Sequence, residues 1–458
     1  MTTKHCDVLI IGGGPAGSTA ATYLAQKGYQ VTVVEKEKFP REHVGESLLP
    51  FCYNIFQELG VLTEMERRFV RKPGVRFLDV DGRSQTTWCF AHVLKDASQL
   101  SFHVIRAEFD QMLLQNSAKH GVTVHEETRV NEVNRAGPDG SVVVQAIDAQ
   151  GALKEYRTRF LLDASGRDTF LATRMGAKIP HKELGRAALS THWLNAKFEG
   201  GIEEGLLQII YLGGEKKGWI WVIPLAKDRL GIGVVLEYSY LRRRKDELQA
   251  AGVEKWQEKL YLDEVMSSPF VRSLLPEAYI AQPLMANSDY SYFVEQKYGP
   301  NFAMIGDAST FIDPIFSSGI YLAMNSARLV TQALHEQWAT PTLESRLAET
   351  YQQINGAYAV VDRAVQLFYN PSTINFAQAS SASALIHQQH ADALAIGHYV
   401  IAGDFFEKHA KYNDFFDLLQ KPALVSAYRN LVINRAEFQS SSCSQYVEQI
   451  FQLTQATK

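Results

Sequence analysis

The chain has little of several things that mark other protein classes. Only four cysteines occur in 458 residues, at Cys6, Cys52, Cys89 and Cys443, with no C-x-x-C pair and no histidine at ligand spacing. That excludes a disulfide-rich scaffold and a cysteine-bound metal, and the four read as reduced thiols of a cytoplasmic protein. No stretch approaches the ~18–20 uninterrupted apolar residues that cross a bilayer, so no membrane segment is expected. The apolar opening Val8–Ile11 runs straight into glycines and reads as a strand, not as the apolar part of a secretion signal. Neither charge is in large excess: the net value is −4, which argues against nucleic acid as a partner because that needs clustered basic surface. No internal repeat or low-complexity tract is visible, and no second G-x-G-x-x-G follows a later strand. What remains is ordinary soluble composition, 46% hydrophobic and 21% charged, with mass for two to three domains.

The first positive signal is at the start. Residues 6–11 (CDVLII) read as a buried parallel strand, followed by Gly12-Gly13-Gly14-Pro15-Ala16-Gly17 and a helix ending near Lys27. Pro15 suits a first helical turn and Gly28 the left-handed position after a helix. The apolar run Val31–Glu35 returns as a second strand, completing a βαβ unit that satisfies the dinucleotide fingerprint. Gly12 permits the tight turn, Gly14 lets backbone N–H groups reach a pyrophosphate, and Gly17 lets helix and strand approach closely. The helix N-terminus adds about half a positive charge facing the phosphates. Glu35 is placed to accept from ribose hydroxyls. The expected cofactor set from this unit is Gly12, Gly14, Ala16, Gly17 and Glu35.

Further along, segments to residue 163 alternate helix and strand, and 302–306 (FAMIG) is another short apolar strand before a long helical pattern from Ser317. Residues 73–94 and 187–240 are rich in aromatics and strand formers, predicting an antiparallel sheet over the cofactor. From about 345 the chain is rich in Ala, Gln, Leu and Phe and reads as helical. The predicted fold class is α/β: a Rossmann-like domain that resembles the FAD-binding domains of the glutathione-reductase or aromatic-hydroxylase type, an antiparallel β-sheet substrate domain, and a helical C-terminal cap. The expected division is 1–72, 97–186 and 296–344 for the discontinuous FAD domain, 73–96 and 187–295 for the sheet domain, and 345–458 for the helical region.

Four segments carry the chemistry. In Gly218-Trp219-Ile220-Trp221-Val222-Ile223-Pro224, a strand would send both indoles to one face and Ile220 and Val222 to the other. Seen alone, such a pair is aromatic core filler. Lys72, in Phe69-Val70-Arg71-Lys72-Pro73-Gly74, taken alone reads as a solvated residue of a basic loop. Phe311-Ile312-Asp313-Pro314-Ile315-Phe316-Ser317-Ser318-Gly319 leads into a helix, so the N–H groups of Ser318 and Gly319 could hold an anion. Arg41 and Ser47 (R-E-H-V-G-E-S-L), Arg106 (R-A-E-F-D-Q-M-L-L) and Asp307 (I-G-D-A) complete the set.

Together these strings resemble the flavin-dependent halogenases, within the flavoprotein class of aromatic hydroxylases and geranylgeranyl reductases. The resemblance runs from residue 5 to about 330 and rests chiefly on W-x-W-x-I-P and F-x-x-P-x-x-S-x-G. It implies that Trp219 and Trp221 separate flavin from substrate, that Ser318 and Gly319 bind halide, and that Lys72 is catalytic beyond the wall. It also implies that Arg41, Ser47, Arg106 and Asp307 contact FAD. The cofactors would be FAD, entering as FADH2 from a separate flavin reductase, with O2 and chloride or bromide. Lys72 would act either as an ammonium that polarises hypohalous acid or as a partly desolvated amine that takes the halogen. Halogenases of free tryptophan carry a glutamate immediately before the first serine, where this chain has Phe316. That points to a phenol or pyrrole, free or tethered to an acyl- or peptidyl-carrier protein. The alternative is a monooxygenase, dehydrogenase or reductase of the same class, and a binding module without catalysis would have little reason to keep the glycine fingerprint.

Two features are set aside. Leu241-Arg242-Arg243-Arg244-Lys245 could meet an acidic carrier protein but is more simply a solvated helix face. His387, His390 and His398 lack further ligands, so no metal is expected.

Overall fold

Strand Lys4–Ile11 is central because its last four residues, VLII, are buried on both faces, as a parallel strand sandwiched between layers requires. It pairs in parallel with Val31–Val34 on one side and Leu153–Asp163 on the other. Phe302–Met304 and Thr123–His125 extend the parallel sheet outward, and the hairpin Thr128–Asn134/Val142–Asp148 folds antiparallel onto Leu153–Asp163. Helix Pro15–Gln26 packs against both Arg106–Lys119 and Gly319–Glu336, and all three contribute to the main apolar core. The computed structural model describes residues 3–83, 85–137, 140–181, 185–197, 202–288, 291–369, 391–419 and 443.

The second sheet runs Tyr279–Ile280, Arg186–Leu194, Arg229–Glu237, Gly218–Ala226, Leu207–Leu212, Gly74–Leu78, Gln85–Cys89. Its pairs are antiparallel except Leu207–Leu212 with Gly74–Leu78. The period of two separates its faces. Trp219, Trp221 and Ile223 join the main core, while Ile220 and Val222 join a second core under helices Tyr238–Ala250 and Trp256–Val265. The predicted fold class is therefore what the chain adopts. Helices Leu343–Tyr369, Ala391–Ala402 and His409–Leu419 follow.

Two expectations need correction. Lys72 lies not in a loop but at the end of strand Val70–Lys72, which pairs with Ser101–His103, and its side chain is buried, so the solvated reading it has when taken alone does not hold. Nor are all four cysteines reduced. Cys89 and Cys443 form a disulfide across 354 residues, packed with Leu206, while Cys6 and Cys52 are free. A pairing between such distant positions leaves no spacing signal for a sequence to display.

Candidate active site

A cavity of about 410 Å³ is lined by residues from both sheets. At one end is the glycine turn. Gly12 takes φ +99°, and a methyl group there would overlap the Ala164 carbonyl. Gly17 lies outside the cavity, packed against the Gly12 carbonyl so tightly that no Cβ fits. Gly14 faces the cavity in extended conformation before the helix that Pro15 opens, so the first N–H groups of that helix point where a phosphate would lie. Glu35 accepts from Gly13 N at 2.7 Å and from Glu37 N at 2.8 Å. Each carboxylate oxygen keeps a lone pair for a ribose hydroxyl.

Two arginines border this end, held by a residue the motif reading missed. Asp110 accepts two hydrogen bonds from Arg106 at 2.8 Å each and pairs with Arg41 Nη1 at 3.0 Å. Burial pushes its carboxyl up, but the two guanidinium groups outweigh that and leave it below the usual range. Arg106 also donates to the carbonyls of Val44 and Gly45 at 2.6 and 3.3 Å, tying helix Arg106–Lys119 to the G-E-S segment. The signal was present in the sequence: Asp110 lies four residues after Arg106 on one helix face. Ser47 lines the cavity, and its buried hydroxyl has no hydrogen-bond partner among the described residues. Asp307 lines it too, and burial raises its carboxyl to about 6 against the opposing charges of Arg167 and Arg106.

Trp219 and Trp221 form the opposite wall, both nearly buried, ring centroids 5.5 Å apart. Across the ladder Trp221 faces Gly233, where a Cβ would fall inside the indole. Trp219 Nε1 donates to the Tyr369 hydroxyl at 2.7 Å. Beside the wall, buried Glu46 and His192 hydrogen-bond to each other, and Glu46 lines the cavity.

Of the loop after Phe311, Ser317 and Gly319 line the cavity, with Ser317 in the left-handed region at φ +57°. Ser318 is buried at the N-cap of helix Gly319–Glu336, and its hydroxyl has no partner among the described residues. Phe316 is buried edge-on against Phe368.

Lys72 is outside the cavity lining, on a strand that contacts the tryptophan strand. Nζ donates to the Leu48 carbonyl at 3.0 Å and lies 5.3 Å from the Phe90 ring centroid. Burial lowers its pKa to about 7, with no carboxylate among the described residues to restore it. His103, another residue the sequence reading passed over, is held neutral by burial and by the Lys72 charge. Its Nε2 bonds to the Gly205 carbonyl at 2.9 Å.

Arg243 pairs with Glu215 and Glu247, Arg244 with Glu247 and Asp263, and Lys245 lies over Trp256, so much of the basic run is neutralised within the fold. His398 stacks on Trp88, whereas His387 and His390 lie outside the described residues. Among the described residues no His/Cys/Asp/Glu group could hold a metal, and no helix is long and apolar enough to cross a membrane.

A glycine turn with a phosphate-facing helix, flanking arginines and a cavity reaching to a second sheet define an FAD-binding flavoprotein. Accordingly, residues 5–366 match the family model of the FAD binding domain. The chain is 35% identical over 356 residues to a tryptophan 2-halogenase of Chondromyces crocatus, covering 76% of this chain and 64% of that protein. It is 30% identical over 351 residues to the 1H-pyrrole-2-carbonyl-(peptidyl-carrier protein) chlorinase of Pseudomonas fluorescens, covering 72% of this chain and 76% of that protein. The solved myxobacterial chondrochloren halogenase CndH superposes with a TM-score of 0.72 at 27% identity, over 94% of this chain and 97% of that one. The chain belongs to the flavin-dependent halogenase family. Its match spans only 62% to 65% of the length of several curated relatives.

Proposed function

We propose that this chain is an FADH2-dependent halogenase that oxidises chloride or bromide and halogenates an electron-rich aromatic ring in secondary-metabolite biosynthesis. The observation that carries the reading is a fully buried lysine, kept out of the nucleotide cavity, on a strand that contacts the strand bearing the paired tryptophans of the cavity wall. The cavity residues fit FAD: the glycine turn leaves room where a phosphate needs it, and Arg41, Arg106, Ser47 and Asp307 line the rest. Bound reduced flavin supplies, with O2, the oxidising equivalent. The absence of a second dinucleotide fingerprint supports FADH2 delivery by a separate flavin reductase.

The chain's own residues then have separable tasks. The N–H groups of Ser318 and Gly319, at the start of helix Gly319–Glu336, hold halide beside the cavity. Trp219 and Trp221 exclude both substrate and bulk water. A small oxidised halide passes them and meets Lys72, whose pKa near neutrality leaves both an ammonium hydrogen-bond donor and a free amine lone pair at Nζ. Phe316, packed in an aromatic contact, supports a phenol or pyrrole substrate, free or carrier-tethered. The division into FAD domain (1–72, 97–186, 296–344), sheet domain (73–96, 187–295) and helical region (345–458) goes with this proposal.

The test is turnover with a flavin reductase, NADH, FAD, O2 and halide against free tryptophan, phenols, and pyrrolyl- or tyrosyl-carrier conjugates, read by mass spectrometry. Halogenated phenol or pyrrole is expected. Preferential turnover of free tryptophan would refute the substrate class, and hydroxylated product would return the chain to the monooxygenases.

A further inference from the structure

The loop that enters the helix at Gly319 and the barrier indole at Trp219 are connected by a chain of hydrogen-bonded polar groups. Asp313, in the F-I-D-P-I-F-S-S-G segment, is fully buried. Its Oδ1 accepts from Ile315 N at 3.1 Å and so pins the turn Pro314–Phe316 that delivers Ser317 and Ser318. Its Oδ2 accepts from the Tyr369 hydroxyl at 2.8 Å. That hydroxyl in turn accepts from Trp219 Nε1 at 2.7 Å. Because an indole N–H only donates and a carboxylate only accepts, the direction of the chain is fixed: Trp219 to Tyr369 to Asp313. The Arg186 guanidinium lies 3.4 Å from the Tyr369 ring centroid, holding the ring from its face and placing a positive charge near the carboxylate. These four residues come from two strands of the second sheet, the end of helix Leu343–Tyr369 and the loop after Phe311, so no local structure demands their meeting.

We propose that Asp313, Tyr369 and Arg186 are positioning residues that couple the seat of the halide to the barrier indole, so that a correctly formed halide loop and a closed tryptophan wall occur together. The inference rests on the reading of Ser318–Gly319 as halide seat and Trp219 as barrier. One carboxylate serves both: rotating it to release Tyr369 also disturbs the turn it caps. A buried hydrogen-bonded network of this kind specifies one arrangement because a half-satisfied alternative is costly.

Tyr369→Phe isolates the relay, since it removes the hydroxyl and keeps the ring that Arg186 covers. The protein has six tryptophans, so the Trp219 indole N–H can be assigned in 15N-tryptophan-labelled protein with Trp219→Phe as reference. In Tyr369→Phe that resonance should shift and its hydrogen exchange should speed at least tenfold. Loss of one buried hydrogen bond, about 1.4 kcal/mol, corresponds to a tenfold weaker halide site. That weakening is read by titrating chloride or bromide against the bound-FAD spectrum, and in turnover as a raised halide KM with a smaller change in kcat. Asp313→Asn, which keeps one acceptor oxygen, should fall between. Unchanged indole exchange in Tyr369→Phe overturns the relay. A freed indole with unchanged halide affinity overturns the coupling. A wild-type enzyme that seats halide yet never halogenates overturns only the functional reading, because indole exchange and halide affinity still decide the relay.

Discussion

Replacing Lys72 by methionine should make the protein more stable and unable to halogenate at once. The side chain is buried, it donates a hydrogen bond to the Leu48 carbonyl, and burial lowers its pKa from 10.5 to about 7. That depression corresponds to roughly 5 kcal/mol by which the folded state disfavours the ammonium relative to the unfolded chain. The sign follows from proton counting. Between pH 7 and 10.5 the unfolded lysine holds a proton that the folded one has lost, so stability rises with pH across that window. The penalty is complete below pH 7 and fades to roughly 2 kcal/mol by pH 9. Methionine fills nearly the same volume and has no charge to bury, but it leaves the Leu48 carbonyl without its lysine donor, a loss of about 1–3 kcal/mol.

Lys72→Met should therefore raise the melting temperature by a few degrees at pH 6, with the gain vanishing near pH 9. The lysine-to-alanine change would not separate these effects, because it adds a cavity. In turnover, reduced FAD and O2 should still be consumed near the wild-type rate while halogenated product falls by at least ~10²–10⁴-fold, the range for loss of a positioned proton donor. Calorimetry at pH 6, 7.5 and 9 beside product analysis makes the test. Equal destabilisation at all three pH values would mean that Lys72 is a structural donor. Normal halogenation by the variant would refute the catalytic assignment.

Three further expectations follow from the geometry. Gly233→Ala inserts a methyl group into the Trp221 ring, so it should cost about 1–3 kcal/mol, shift tryptophan fluorescence and lower product formed per reduced FAD; unchanged fluorescence and yield would show the wall tolerates displacement. Asp307→Asn should weaken FAD binding while raising stability of the flavin-free protein at pH 8 by up to roughly 3 kcal/mol, because the folded carboxyl titrates near 6 and its ionisation is penalised above that pH. Thermal shifts with and without FAD check both halves. Alkylation of the denatured, unreduced protein should label only Cys6 and Cys52, with Cys89 and Cys443 labelled after reduction; four labels before reduction would dissolve the disulfide.

What the sequence displayed was whatever local periodicity encodes. The outcome for Trp219 and Trp221 against Ile220 and Val222 follows from the period of two alone, and the glycine turn from the steric demands of Gly12 and Gly17. Lys72 was misplaced in a loop because its strand is three residues long and is stabilised by Ser101–His103, a pairing no periodicity announces. Gly233 had a legible type but not a legible reason, since the ring it accommodates is on the neighbouring strand. Tyr369 lies 56 residues from Asp313 and 150 from Trp219 and belongs to no motif. Cys89 and Cys443 are farther apart still.

The buried charges sort by how well the fold compensates them, and the sorting separates scaffold from chemistry. Asp110 meets two guanidinium groups and its carboxyl falls below the usual range; it is a pillar that holds Arg41 and Arg106 at the cavity edge. Lys72 has a carbonyl and an aromatic face but no counter-ion among the described residues, and burial lowers its pKa to about 7. Asp307 is pushed upward despite two arginines in range. An uncompensated buried charge destabilises a fold, and a hydrophobic residue of the same size would relieve it. Packing alone therefore favours an apolar residue at position 72, whereas the proposed reaction, with its need for a dry, half-protonated amine, would call for lysine. The same reasoning marks Asp110 as the wrong residue to mutate in a search for catalysis: its loss would strand two arginines and disturb FAD binding while saying nothing of halogen transfer.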